Sequence, residues 1–249
     1  MLLTTYEEMA RREMEAWKFD MQRSPTLLNR FSKTMQDKVN SFIPDRIHEA
    51  ITTTLKQMIR AVLFGSERIT AKPTANQLTL EQREATIFQR IKLYQHMGAA
   101  EGGITGAGGF LLGLADFPLL LSLKLKLLYE IAAQYGYNTS DYKERLYLLY
   151  IFQLAFSSQQ QRRQVFQHIS NWEMQKHNLP EDINQFDWRT FQQEYRDYID
   201  LAKMAQLVPV IGAPVGAIAN YHLLKKLGNT ALNAYRMRWF AEEELKRLA

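Results

Sequence analysis

Apolar side chains at Leu3, Tyr6, Ala10, Met14, Trp17 and Met21 recur every three or four residues, with Glu7, Glu8, Arg11, Glu15 and Lys18 between them. That period predicts an amphipathic helix. Ser24-Pro25 reads as an N-cap with proline at the first helical position, and Pro44-Asp45 restarts a helix expected to run to about Gly65. Residues 66–78 carry Lys72-Pro73 and Asn76 and read as a connecting loop. Thr79-Leu80-Glu81-Gln82 matches a capping box, and the helix it opens is expected to end at Gly98 with His96 in its last turn. Pro118 is expected to begin another helix, capped by Asp116 and closed by Gly136.

Ser140-Asp141 starts a helix whose centre, "YLLYIFQLAF", is apolar nearly all round and therefore belongs in a core. Residues 157–204 predict two helices separated near Asn178 to Asp187, and a last helix carries "YRMRWFAEEELKRL". Long Leu/Ala/Lys/Glu/Gln/Arg segments, with few β-branched runs flanked by turns, place the chain in the all-α class. The expected architecture is a multi-helix globular bundle. Residues 1–78 supply N-terminal amphipathic helices and residues 79–249 the main helical core, as one continuous domain.

The 249 residues are 46% hydrophobic and 23% charged, close to the globular average. No cysteine is present, which excludes disulfides and thiolate metal sites. Glu7, Glu8, Arg11 and Arg12 interrupt the N-terminus where an export signal needs an apolar run. The net charge of +5 is uneven: residues 30–60 and 222–249 each hold six Lys and Arg against three Asp and Glu. Such surfaces attract phosphate, whether of lipid or of nucleic acid.

Seven of the twelve glycines lie between Gly98 and Gly113. A phosphate loop is excluded because the chain holds no Gly-Lys pair, and a dinucleotide fingerprint fails because Leu111 stands where the third glycine is needed. What remains is a four-residue step through Gly98, Gly102 and Gly106, continued by Gly109 and Gly113. Missing Cβ atoms on one helical face let a second backbone come close. Gly212 and Gly216 repeat the step inside "MAQLVPVIGAPVGAIANY", an eighteen-residue uncharged run. Two apolar glycine-rich helical hairpin segments packed together are expected. Glycine costs about 1 kcal/mol per helical site in water, so burial in protein or lipid must compensate. A membrane crossing, a re-entrant or interfacial insertion, and a hairpin buried in protein all stay open. Asp116 and Pro118 weigh against a crossing.

His48, His96, His168, His177 and His222 show no metal-ligand spacing, and no nucleophile elbow occurs. Neither a metal nor a cofactor is expected. Asp116 and Glu130, fourteen residues apart, would stand about 20 Å from each other on a helix, too far for joint acid-base work. Lys225, Lys226, Tyr235, Arg236, Arg238 and Trp239 form a basic and aromatic group expected to face a partner. Rings at headgroup depth with arginine on phosphate favour lipid, and nucleic acid is not expected.

The segments "GGITGAGGFLLGLADFP", "YEIAAQYGYNTSDYKER", "PVIGAPVGAIANY" and "AYRMRWF" resemble the EcsC protein family, most specifically over residues 98–145 and 205–240. The resemblance implies signature positions at Gly102, Gly106, Gly109, Asp116, Pro118, Gly136, Arg145, Gly212, Gly216, Asn220 and Arg238. It also implies an accessory role beside an ABC transport system, with no catalytic assignment. The leading expectation is a non-enzymatic protein at the cytoplasmic membrane face, contacting lipid or transporter subunits through Gly98 to Pro118 and Gly212 to Asn220. One alternative is a membrane-surface hydrolase of lipid or peptide, with Asp116, Glu130, Arg145 or Asn220 around a pocket. Another is a soluble helical nucleic-acid-binding protein.

Overall fold

The computed structural model describes residues 3–23, 45–64, 73, 78–107, 109–199 and 213–248, with the side chains of 45–48, 102–107, 109–116, 159–160, 196–198 and 213–216 outside that description. Among the described residues there are nine α-helices: α1 Thr5–Gln22, α2 Asp45–Phe64, α3 Leu80–Ala107, α4 Gly109–Gln134, α5 Tyr142–Phe156, α6 Gln159–Ser170, α7 Trp172–Lys176, α8 Trp188–Tyr198 and α9 Ala213–Leu248. The protein is all-α, with an isolated bridge between Ser157 and Ile199. The helix expected from Ser24-Pro25 and the loop expected at 66–78 lie almost wholly outside the described residues.

Local chemistry sets several ends where the sequence placed them. Thr79 Oγ1 accepts from Gln82 N while Gln82 Oε1 accepts from Thr79 N, which closes the capping box of α3. Thr4 and Glu7 do the same for α1. Gly136, at φ 91°, takes the left-handed position past α4, where Gly136 N and Tyr137 N donate to Ala133 O and Ala132 O. Side chains around almost the whole circumference of α5 are buried.

Two expected boundaries are corrected. Helix α3 does not stop at Gly98 but continues to Ala107, and Pro118 does not open a helix but lies inside α4, so Asp116 is no cap. Gly98 is used for helix contact instead of termination: a Cβ there would stand 2.3 Å from Leu224 Cδ1. At Pro118 the absent N–H removes one helical rung. Burial of Phe117, Leu120 and Leu121 on the same helix offsets that loss.

Helices α3 and α4 form a hairpin, and α9 lies antiparallel to α3 against it. Glu84 meets Arg236 and Gly98 meets Leu224, so numbers fall along one helix as they rise along the other. Gly228 supplies the second close approach, facing Ile91 with an added Cβ only 2.6 Å from Cγ1. Gly228→Ala is expected to lower stability by about 1–2 kcal/mol in denaturant unfolding, because overpacking outweighs the helix propensity gained. An unchanged or raised midpoint would contradict so close a crossing. One buried cluster runs from Ala10 through α2 to α6 and on to Phe240, so the N-terminal helices share the core of residues 79–249.

Candidate functional site

Three polar clusters are buried where the helices cross. In the first, the Arg236 guanidinium gives Nε to Glu84 Oε1 at 2.8 Å and Nη2 to Glu84 Oε2 at 2.6 Å. Its Nη1 reaches Glu13 Oε2 at 2.8 Å. Tyr6 and Tyr135 each donate to Glu84 at 2.7 Å. In the second, Arg238 Nη1 meets both oxygens of Glu144 at 2.9 and 2.8 Å, and its Nε meets Glu173 at 2.9 Å. Tyr235 donates to Glu144, and the Arg238 guanidinium lies 3.7 Å from the Tyr137 ring centroid. Burial opposes the charge on both arginines, but the facing carboxylates outweigh it and hold them firmly protonated.

These clusters correct the expectation of a basic and aromatic surface. Tyr235, Arg236 and Arg238 are buried and neutralise carboxylates inside the bundle. The alternation of basic and aromatic residues looks the same whether the partner is phosphate or an internal glutamate. Lys225 and Lys226 are exposed and Trp239 is partly buried.

The third cluster differs in kind. Lys124 is fully buried on α4, and its Nζ donates to Leu120 O at 3.2 Å and Asn220 Oδ1 at 3.1 Å, both neutral oxygens. Burial pushes the Lys124 ammonium down to about 7, against the opposing field of Glu101. A lysine at that value is an amine for much of its time at neutral pH. It joins the glycine-rich hairpin to α9 next to Gly98, whose added Cβ would lie 3.9 Å from Asn220 Cβ. The sequence reading singled out Asn220 but passed over Lys124. Its signal was a lysine following "PLLLSL" on the face that continues through Leu120, Leu127 and Leu128, all buried.

The remaining expected site residues are spread out. Gly102 and Gly106 lie in the last turns of α3, Gly109, Gly113 and Asp116 in the first turns of α4, and Gly216 in the first turn of α9. What surrounds them is outside the described residues, as is Gly212 altogether. Pro118 is exposed. Glu130 accepts from Tyr94 at 2.7 Å and faces Arg90 at 3.5 Å. Arg145 donates to Leu63 O, Ser140 O and Thr139 O, tying the end of α2 to the loop before α5. Glu130, Arg145 and Asn220 therefore meet partners on three different helices, Tyr94 on α3, Leu63 on α2 and Lys124 on α4, and the surroundings of Asp116 are outside the described residues. Among the described residues no helix is long and apolar enough to cross a membrane.

One exposed face combines apolar and basic groups. Lys92, Leu93, His96 and Met97 form a stripe along α3, and Ile218, His222 and Lys225 form one along α9. The His96 ring lies 6.0 Å from the Tyr221 ring, so the two helices adjoin at this level. Leu93, Met97 and Ile218 are 47%, 41% and 60% exposed, large values for apolar side chains.

Comparison with known proteins agrees with the sequence segments. The chain is 44% identical over 238 residues to Protein EcsC of Bacillus subtilis (strain 168), covering 96% of this chain and 98% of that protein. It is 25% identical over 252 residues to the uncharacterized protein YdbA of the same organism, covering 93% and 92%. No solved structure matches. The model of the EcsC protein family matches residues 8–240, and the chain belongs to that family.

Proposed function

We propose that the protein is a non-enzymatic accessory factor that binds the cytoplasmic membrane face peripherally, beside the ABC transport system that the family resemblance implies. The observation that carries this reading is the paired stripe on α3 and α9. Leu93, Met97 and Ile218 offer apolar contact at the depth of lipid headgroups, and Lys92 and Lys225 flank them with positive charge. The stripes run toward the end of the bundle where the glycine-rich hairpin turns. The nucleic-acid alternative loses its main support, because the arginines and tyrosine it needed are internal.

Vesicle flotation tests the reading. Anionic phosphatidylglycerol vesicles are expected to retain the protein at low salt and phosphatidylcholine vesicles to retain little. Each lysine near an anionic surface contributes about 1 kcal/mol, so Lys92→Glu with Lys225→Glu should cut partitioning by at least about tenfold. Ile218→Ser should weaken retention on both kinds of vesicle. If the protein stays in the aqueous fraction on anionic vesicles at low salt, the reading is wrong.

A further inference from the structure

A separate cavity of about 410 Å³ opens between α2 and α4. That volume lies within the range of roughly 300–1,000 Å³ usual for small-molecule sites. Met58, Leu121 and Leu125 form its buried apolar wall, and the Pro118 ring and Ala61 complete it. Pro118 has no N–H and Ala61 almost no side chain, so both leave the cavity open and undemanding of hydrogen bonds.

The polar lining is sorted by what it has left to give. Thr54 Oγ1 donates to Ala50 O at 2.8 Å and Ser122 Oγ donates to Pro118 O at 2.9 Å, so both hydroxyls satisfy their own helices and keep only acceptor capacity. Among the lining residues the hydrogens for an incoming ligand therefore come from the exposed Lys126 ammonium and the Gln57 amide. Lys56 and Arg60, exposed on α2, add positive charge along the same helix. The result is an apolar slot with a cationic mouth.

We propose that this slot binds a single-chain amphiphile with an anionic head, its chain along Met58, Leu121 and Leu125 and its carboxylate at the Lys126 end. Charge complementarity selects the head, because a cationic head would be repelled by Lys126 and a neutral one would accept weaker hydrogen bonds from its ammonium than a carboxylate does. The walls select the chain, because free phosphate would leave them empty. The proposal stands on the cavity and does not depend on binding to a bilayer.

The test is titration calorimetry of the full chain with laurate below its micelle concentration, with dodecyltrimethylammonium as the cation of equal chain length. Laurate is expected to bind saturably at one site, and the cation weakly. Lys126→Glu should weaken laurate about tenfold and reverse the preference between the two probes. Ala61→Phe fills the slot from an exposed position and should abolish laurate binding, with the melting temperature and vesicle retention unchanged. Absence of saturable laurate binding would overturn the proposal, and so would binding indifferent to Ala61→Phe. Vesicle retention reports on α3 and α9 alone, so the two readings fail separately.

Discussion

Replacing Glu84 with alanine is expected to lower the free energy of unfolding by about 3–5 kcal/mol, a large share of the roughly 5–15 kcal/mol usual for a folded domain. Glu84 is fully buried and receives four side-chain hydrogen bonds, two from Arg236 and one each from Tyr6 and Tyr135. Its removal strands a guanidinium that is itself 1% exposed, with Glu13 as the remaining carboxylate in reach. Replacing both partners, as in Glu84→Leu with Arg236→Met, should recover much of the loss, because no buried charge is then left over. The exposed pair Lys143–Glu181, whose carboxylate is 94% accessible, should by contrast cost under about 1 kcal/mol when broken. Guanidinium unfolding of these three variants beside the wild type decides it: a Glu84→Ala loss below about 1 kcal/mol would refute the internal pairing.

The second large effect is a pH slope. Wild-type stability relative to Lys124→Met is expected to rise between pH 7 and 9, by about 2 kcal/mol in all. The folded value of Lys124 is about 7 and its ordinary value 10.5. Between them the unfolded chain binds the proton and the folded chain does not, so raising the pH favours folding. As the pH falls through 7 the folded state must charge a buried amine, and the full cost is felt. Tyr135, Tyr195 and Tyr235, all raised by burial, act oppositely and only above pH 10, outside this window. Unfolding of both proteins at several pH values between 6 and 9 checks the slope, and parallel curves would show that Lys124 stays charged.

What the sequence disclosed was local. The box at Thr79, the turn at Gly136 and the all-round apolar α5 depend on residues within a few positions, and each was legible. Gly98 was not, because a terminating glycine and a packing glycine differ only in a partner more than a hundred residues away, here Leu224 and Asn220. Arg236 and Arg238 were misassigned for the same reason, since Glu84 and Glu144 are remote in sequence. Those glutamates carried no signal of their own, since Glu84 follows Arg83 and Glu144 sits between Lys143 and Arg145 like ordinary charged surface positions. Lys124 needed both causes at once: burial by one helix and an acceptor on another. The 410 Å³ slot had no signal at all, because it is the space left between α2 and α4.

Helix α9, at the far end of the chain, supplies the counter-ions of carboxylates made long before it. Until α9 leaves the ribosome, Glu84 and Glu144 lack Arg236 and Arg238, and Gly98 and Ile91 lack Leu224 and Gly228. A nascent chain therefore carries the α3–α4 hairpin without its α9 partner while α5 to α8 are made, and closes this core only after them. The closing step waits for α9, and that interval is when the glycine-rich hairpin is most accessible to a chaperone or a bilayer.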